Sequence, residues 1–227
     1  MTLENQRADN RSRALFGQTP WQTVGPFFHY GLPWKGGADL IGSSDLGARP
    51  DLVPEANYLL NLPSGRGPIP GQPIEIVGRV YDAGRVAVPD AMIEIWQANA
   101  AGRYNSPGDP REALALNADF SGFGRSATDD DGGFRFRTIL PGRTPGPGNS
   151  LQAAHIAVGV LGRGLLKRLV TRLYFEGEDG HDEDPILAFV PLERRTTLIA
   201  AKVLDAPATY RFDVHLQGEH ETVFFDV

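Results

Sequence analysis

From Thr209 to Gln217 the chain alternates: Tyr210, Phe212, Val214 and Leu216 are apolar, and Arg211, Asp213 and His215 between them are polar. A strand with one face buried and the other wet accounts for this, because successive side chains leave a strand on opposite sides. The same period returns with Ile74, Ile76 and Val80 inside Pro73 to Tyr81, and with Ile93 and Ile95 inside Ala91 to Gln97. It returns again where Phe134, Phe136 and Thr138 point away from Arg135 and Arg137. Ala154 to Leu161 is an apolar run broken by His155, and Arg168 to Phe175, Thr196 to Val203 and Thr222 to Val227 complete the series. The 27 Gly and 18 Pro, about a fifth of 227 residues, keep these runs short and favour turns over long helices. The fold read from this is mostly β, a two-layer β-sandwich of about eight strands with few short helices. The first two strands read as a hairpin, and Asp129-Asp130-Asp131-Gly132 reads as a hairpin turn before the strand at 134–138. The Asp182 to Pro185 neighbourhood, followed by Ile186 to Val190, reads as a short helix beside a loop.

With 41% apolar residues and no shift of composition near the middle, 1–227 reads as a single domain, its core sandwich spanning 71–227. Residues 1–30 read as an irregular N-terminal arm: polar as far as residue 19, then extended through Thr19-Pro20, Gly25-Pro26 and Phe27-Phe28, with its apolar anchors on this chain or on a partner. Between Tyr30 and Gly71 little periodicity is present beyond a short helical turn near Asp51 to Leu60. The net charge of -6 comes without a Lys/Arg stripe, so nucleic acid is not an expected partner. There are no cysteines, so a metal would need His, Tyr or carboxylate ligands. No apolar run approaches a signal core or a membrane span, and a cytoplasmic location is the simplest expectation.

Three clusters could carry chemistry: Gly102-Arg103-Tyr104, the segment Pro141 to Pro145, and Ala154-His155-Ile156-Ala157. By themselves they fit ordinary packing equally well, since part-buried Tyr and His are common in cores. His29, His181, His215 and His220 have no metal-pair spacing, and the Asp129 to Gly132 run lacks the acidic pattern of a calcium loop.

In order and surroundings, however, these clusters sit among longer motifs. Gln22-Thr23-Val24-Gly25-Pro26-Phe27-Phe28-His29, Gly78-Arg79-Val80 and Ile95-Trp96-Gln97-Ala98-Asn99 through Tyr104 come first. Asp119-Phe120-Ser121-Gly122-Phe123-Gly124-Arg125, Phe136-Arg137-Thr138-Ile139, Pro141-Gly142, Ala154-His155-Ile156 and Leu173-Tyr174-Phe175-Glu176-Gly177 follow. From about residue 15 to the C-terminus this series resembles the intradiol ring-cleaving dioxygenases. That family holds Fe(III) with two tyrosinates and two histidines. Tyr104 and His155 match the first of each, but Thr144 stands at the place of the second tyrosine and Ala157 at the place of the second histidine. Gln152 stands where the family has an arginine near its substrate.

The resemblance therefore implies a chain with no catalytic residues and no metal of its own, working beside an iron-bearing beta chain of the same family. Fe(III) would be bound by that partner, with protocatechuate and O2 meeting at a pocket the two chains share. Thr23, Gly25 and Pro26 of the arm are expected to line that pocket, and Arg143 to meet the substrate carboxylate. Tyr104 and His155 are expected to be relics, packed or hydrogen-bonded to each other. Two other readings stay open: a self-sufficient ferric enzyme with substitute ligands such as His181 or Asp184, and a transthyretin-like binding module without a reaction.

Overall fold

The computed structural model describes residues 22–31, 37–42, 44–47, 67–206 and 208–226. The helical turn expected near Asp51 to Leu60 and the arm up to residue 21 lie outside these. A one-turn helix α1 (Phe28–Gly31) precedes the strands β1 (Pro73–Tyr81), β2 (Met92–Trp96), β3 (Phe123–Ala127) and β4 (Gly133–Ile139). A small ribbon follows, β5 (Thr144–Pro145) with β6 (Leu151–Gln152), then β7 (His155–Leu161) and β8 (Leu169–Phe175). Short 3₁₀ turns at Leu187–Phe189 and Leu192–Leu198 lead into β9 (Ile199–Lys202), β10 (Thr209–Arg211) and β11 (Val214–His215).

Nine of these strands form one hydrogen-bonded sheet that curls on itself to make the two layers of a sandwich. One layer is β4, β1 and the broken strand β10/β11; the other is β8, β7, β2 and β3. Strand β9 joins them, parallel to β8 on one side and antiparallel to β10 on the other. The period-two pattern decides what goes between the layers. Ile74, Ile76 and Val80 of β1 and Phe134 and Phe136 of β4 pack against Ile93 and Ile95 of β2, Ile156, Val158 and Val160 of β7 and Leu173 and Phe175 of β8. A typical side chain of this size stabilises the fold by roughly 1.5–3 kcal/mol when fully buried. Gln97 links the layers as well, accepting from the Thr138 hydroxyl at 2.7 Å and donating to the Ile139 carbonyl at 2.9 Å.

Two sequence expectations about connectivity are corrected. Strands β1 and β2 are not a hairpin: β1 pairs with β4, β10 and β11, while β2 pairs with β3 and β7 in the opposing layer. The Asp129 to Gly132 turn closes tightly, with Asp129 Oδ1 accepting from the Gly133 and Asp131 amides, but it carries the chain across the sandwich instead of pairing β3 with β4. Local turn chemistry is indifferent to which layer receives the next strand, and burial of both faces decides. In the stretch from Asp182 to Val190, expected from sequence to hold a short helix beside a loop, the chain forms the 3₁₀ turn Leu187–Phe189.

The outer face of β7 and β8, turned away from the main core, is covered by a second cluster in which Tyr174 packs with Ala153, Leu187, Val190 and Leu198. Residues of β7 at odd positions and of β8 at even positions share this face.

Candidate functional site

The Tyr104 segment and the Arg143 segment are built against each other by their glycines. Asn99 shapes the first: its side-chain oxygen accepts from the amides of Ala101 (2.9 Å) and Arg103 (3.0 Å), and its Nδ2 donates to the Ala115 carbonyl. Gly102 has φ +79° and approaches the second so closely that a Cβ there would lie 2.1 Å from the Arg143 carbonyl oxygen. Such a position requires glycine both for its conformation and for its contact. The Gly142 amide closes the arrangement on the Asn99 carbonyl at 2.9 Å.

Tyr104 lies with its ring stacked on Trp96, centroids 5.9 Å apart. Trp96, Tyr104, Asp109, Arg111, Thr144 and Gln152 line a cavity of about 410 Å³. A hollow of about 470 Å³ elsewhere, between Leu46, Arg79, Ser126 and Asp129, includes none of Tyr104, Thr144 or His155. Thr144 Oγ1 is buried with no hydrogen-bond partner within bonding distance, although it sits near enough to the Tyr104 hydroxyl to favour the phenolate slightly. Burial has the larger effect and holds that hydroxyl protonated to higher pH than usual, against the positive charge of Arg172.

His155 is 4% exposed. Its Nδ1 lies 2.8 Å from the Ala153 carbonyl, which can only accept, so Nδ1 carries the proton and Nε2 the lone pair. That lone pair faces Arg172 Nη1 at 3.4 Å. Burial, with the Arg172 charge second, pushes the imidazole pKa down to about 4, so the ring is neutral at physiological pH. Arg172 Nη1 also donates to Gln152 Oε1 at 2.5 Å.

Of the two arrangements the sequence suggested, packing or a hydrogen bond between Tyr104 and His155, no hydrogen bond joins them among the described residues; His155 Nε2 faces the Arg172 guanidinium, whose charge also acts on Tyr104. The register explains how it comes there, since Arg172 is the direct cross-strand partner of Ala157, and His155 that of Tyr174. A methyl at 157 leaves the neighbouring side chain room to cross the strand pair. The residues as arranged do not fit a ferric ion: a fixed cation faces the histidine nitrogen that would have to ligate, and a neutral threonine replaces a phenolate. Among the described residues no group of three His, Asp or Glu side chains is placed to hold a metal. Asp184, one of the substitute ligands considered, has its oxygens engaged by the amides of Ala153 (2.7 Å), Ile186 (2.8 Å) and Leu187 (2.9 Å) and by the Tyr174 hydroxyl (3.3 Å). His181 packs edge-on against Tyr174.

The four residues expected to reach substrate fall in two places. Arg143 lies at the start of β7, its Nη2 3.2 Å from Glu183 and its guanidinium 3.4 Å from the carbonyls of Leu151 and Gln152. Thr23 lies beyond the far end of β7, where its hydroxyl accepts from the Gly164 amide at 2.8 Å and Val24 bridges to Arg163. The length of β7, roughly 20 Å, separates the two. Gly25 and Pro26 are exposed among the described residues, none of which lies within 4 Å of where a Gly25 side chain would begin. Sequence reasoning missed Arg172, an arginine within β8 whose cross-strand partner Ala157 becomes known only from the register.

A sheet curled in this way, with the Tyr104, Arg143 and His155 motifs clustered on its outer face, defines a class. The Dioxygenase family model matches residues 50–218, and the chain belongs to the intradiol dioxygenase family. Within that family it is 39% identical over 216 residues, 92% of this chain and 98% of the relative, to the protocatechuate 3,4-dioxygenase alpha chain of Burkholderia cepacia. It is 35% identical to the alpha chain of Pseudomonas putida, over 93% of this chain and 98% of that one. The beta chain of the Burkholderia cepacia enzyme is also a relative, 36% identical over 82% of this chain and 79% of its own length. Of solved structures, the dioxygenase domain of a carbohydrate-binding fusion from Streptomyces sp. SirexAA-E superimposes with a TM-score of 0.53 at 26% identity, over 90% of this chain and 99% of that one. No helix among the described residues is long and apolar enough to cross a membrane.

Proposed function

We propose that this chain is the alpha subunit of protocatechuate 3,4-dioxygenase, without iron of its own, and that it completes the substrate pocket of a ferric beta subunit. That pair would cleave protocatechuate between its hydroxyls with O2 to give 3-carboxy-cis,cis-muconate. The observation that carries the reading is the selective loss inside an intact frame. The glycines, the Asn99 loop and the Trp96–Tyr104 stack are kept, while Thr144 and Ala157 replace two of the four family ligands and a guanidinium faces His155. End-to-end similarity to alpha chains supports it, as does the existence of a related beta chain. An assembly of similar but unequal chains lets one partner keep the chemistry while the other specialises as wall and scaffold.

In that assembly we assign Thr23, Gly25, Pro26 and Arg143 to pocket walls shared with the partner, the arm residues at one end of β7 and Arg143 roughly 20 Å away at the other. Among the described residues nothing lies within 4 Å of where a Gly25 side chain would begin, and a close approach of backbone to another molecule gives a glycine there a use. Arg143 would offer its fork to the substrate carboxylate, which lies across the ring from the two hydroxyls. The chain's own residues bind and orient; the oxidation belongs to the partner, and the pair is placed in the cytoplasm.

Co-expression with a beta chain tests this reading. Iron content and O2 uptake with protocatechuate should appear in the co-purified pair, with about one iron per pair of chains. Iron and ring cleavage in this chain purified without a partner would favour the self-sufficient enzyme instead.

A further inference from the structure

Arg172 has no part in the function proposed above, yet it is the side chain on which the relic site converges. It rises from β8 directly opposite Ala157, on the face that also carries His155 and Tyr174. Trp96 is the other cross-strand neighbour of Ala157, so Trp96, Ala157 and Arg172 form one row across three strands, with Tyr104 stacked on Trp96 at its edge. One nitrogen of the guanidinium, Nη1, meets Gln152 Oε1 and the unprotonated Nε2 of His155. Its positive charge is also felt at Tyr104 and Tyr174, where it opposes the effect of burial, and at His155, where it adds to it.

Two of the three departures at this site, Gln152 and Ala157, therefore lie against the same residue. Gln152 stands in place of an arginine, and its amide oxygen holds Arg172, so a positive charge is present beside the site, carried by β8. Ala157 stands in place of a histidine, and the vacated room lies beside the base of the Arg172 side chain. We propose that Arg172 is the resident cation of this site, taking both the room and the charge that a metal with its second histidine would need, and so closing the chain to metal. Two positive charges within a few ångströms in a part-buried setting repel strongly, and a guanidinium cannot lose its proton to relieve this. The inference rests on the family's ligand pattern used above and adds that restoring ligands is not enough to restore binding.

Iron counting in the full chain tests it, in preparations that keep whatever partner co-purifies, with iron above the wild-type preparation counted per copy of this chain. Thr144→Tyr with Ala157→His should take up less than about a tenth of an iron, and adding Arg172→Gln to that pair should raise uptake to about one. A tyrosinate-to-iron absorption band should follow the iron. A full equivalent bound with Arg172 in place overturns the proposal, and so does a folded triple variant that stays empty. Should the double variant fail to fold because the new imidazole meets the guanidinium, Thr144→Tyr/Ala157→His/Arg172→Lys is the comparison, since it yields room but keeps the charge. It should remain iron-free, and iron in it overturns the electrostatic part of the argument. Failure of the subunit reading would show separately, as ring cleavage by this chain without a partner, and leaves these counts to stand by themselves.

Discussion

Replacing Arg143 by alanine separates substrate recognition from the integrity of the chain, because the structure sets the two effects at different sizes. The bonds Arg143 makes within its own chain are long, 3.4 Å to two carbonyls and 3.2 Å to Glu183, and Glu183 is itself 75% exposed. A pair of that kind contributes about 0–1 kcal/mol, so the folded chain should lose little. A charge-assisted bond from the same guanidinium to a substrate carboxylate is worth about 1.5–3 kcal/mol. The expected outcome in the assembled enzyme is a KM for protocatechuate raised roughly 10- to 150-fold, with KM for unsubstituted catechol nearly unchanged. Steady-state O2 uptake on both substrates reads this, with thermal unfolding as the control. Equal loss on the two substrates would refute the carboxylate contact and assign Arg143 to the interface. No change on either would leave Arg143 paired with Glu183 and nothing more.

Three further outcomes are expected. Between pH 4 and 6.5 the unfolded chain carries a proton on the ring of His155 while the folded chain does not, so stability rises with pH across that window. Acidification should therefore cost up to about 3 kcal/mol that His155→Gln does not lose, measured as the difference between their denaturant midpoints at pH 7 and pH 4.5; identical slopes would contradict it. Asp184→Ala orphans three backbone amides and the Tyr174 hydroxyl and should destabilise by about 3 kcal/mol or more in chemical denaturation, whereas a loss under about 1 kcal/mol would show that water replaces the carboxylate. Gly78→Ala would place a Cβ 1.9 Å from the Phe212 carbonyl oxygen within the β1 layer, and should yield insoluble chain on expression; a soluble product with native circular dichroism would show that the β10/β11 break can yield.

The strands were legible because each buries one face, and a period of two writes that directly into residues such as Ile74, Ile76, Phe134 and Phe136. Their partners were not. The hairpin read for β1 and β2 failed because a turn at Ala83-Gly84 looks the same whether the next strand stays in its layer or crosses to the other. Of the site, the motif glycines announced themselves through spacing, and Gly102 and Gly142 do hold the Tyr104 and Arg143 segments together. Arg172 went unread for a different reason. Its meaning lies in the residue across from it, and register is a property of two strands that neither carries alone.

Strand β1 receives its second neighbour very late in the chain. Residue 75 pairs with residue 209 and residue 80 with residue 214, so one edge of a central strand stays open until the chain beyond residue 209 has left the ribosome, more than 130 residues after residue 75. A nascent chain would spend that interval with Ile74, Ile76 and Val80 on a strand whose row of amides and carbonyls lacks its last partner, the form most prone to wrong pairing with a neighbour. Long-range closure of this kind is also slow, since the loop must be ordered before the contact rewards it. Translation that stops short of residue 209 should release aggregating fragments instead of a smaller folded domain, and the speed with which residues 209–214 are delivered becomes a determinant of yield.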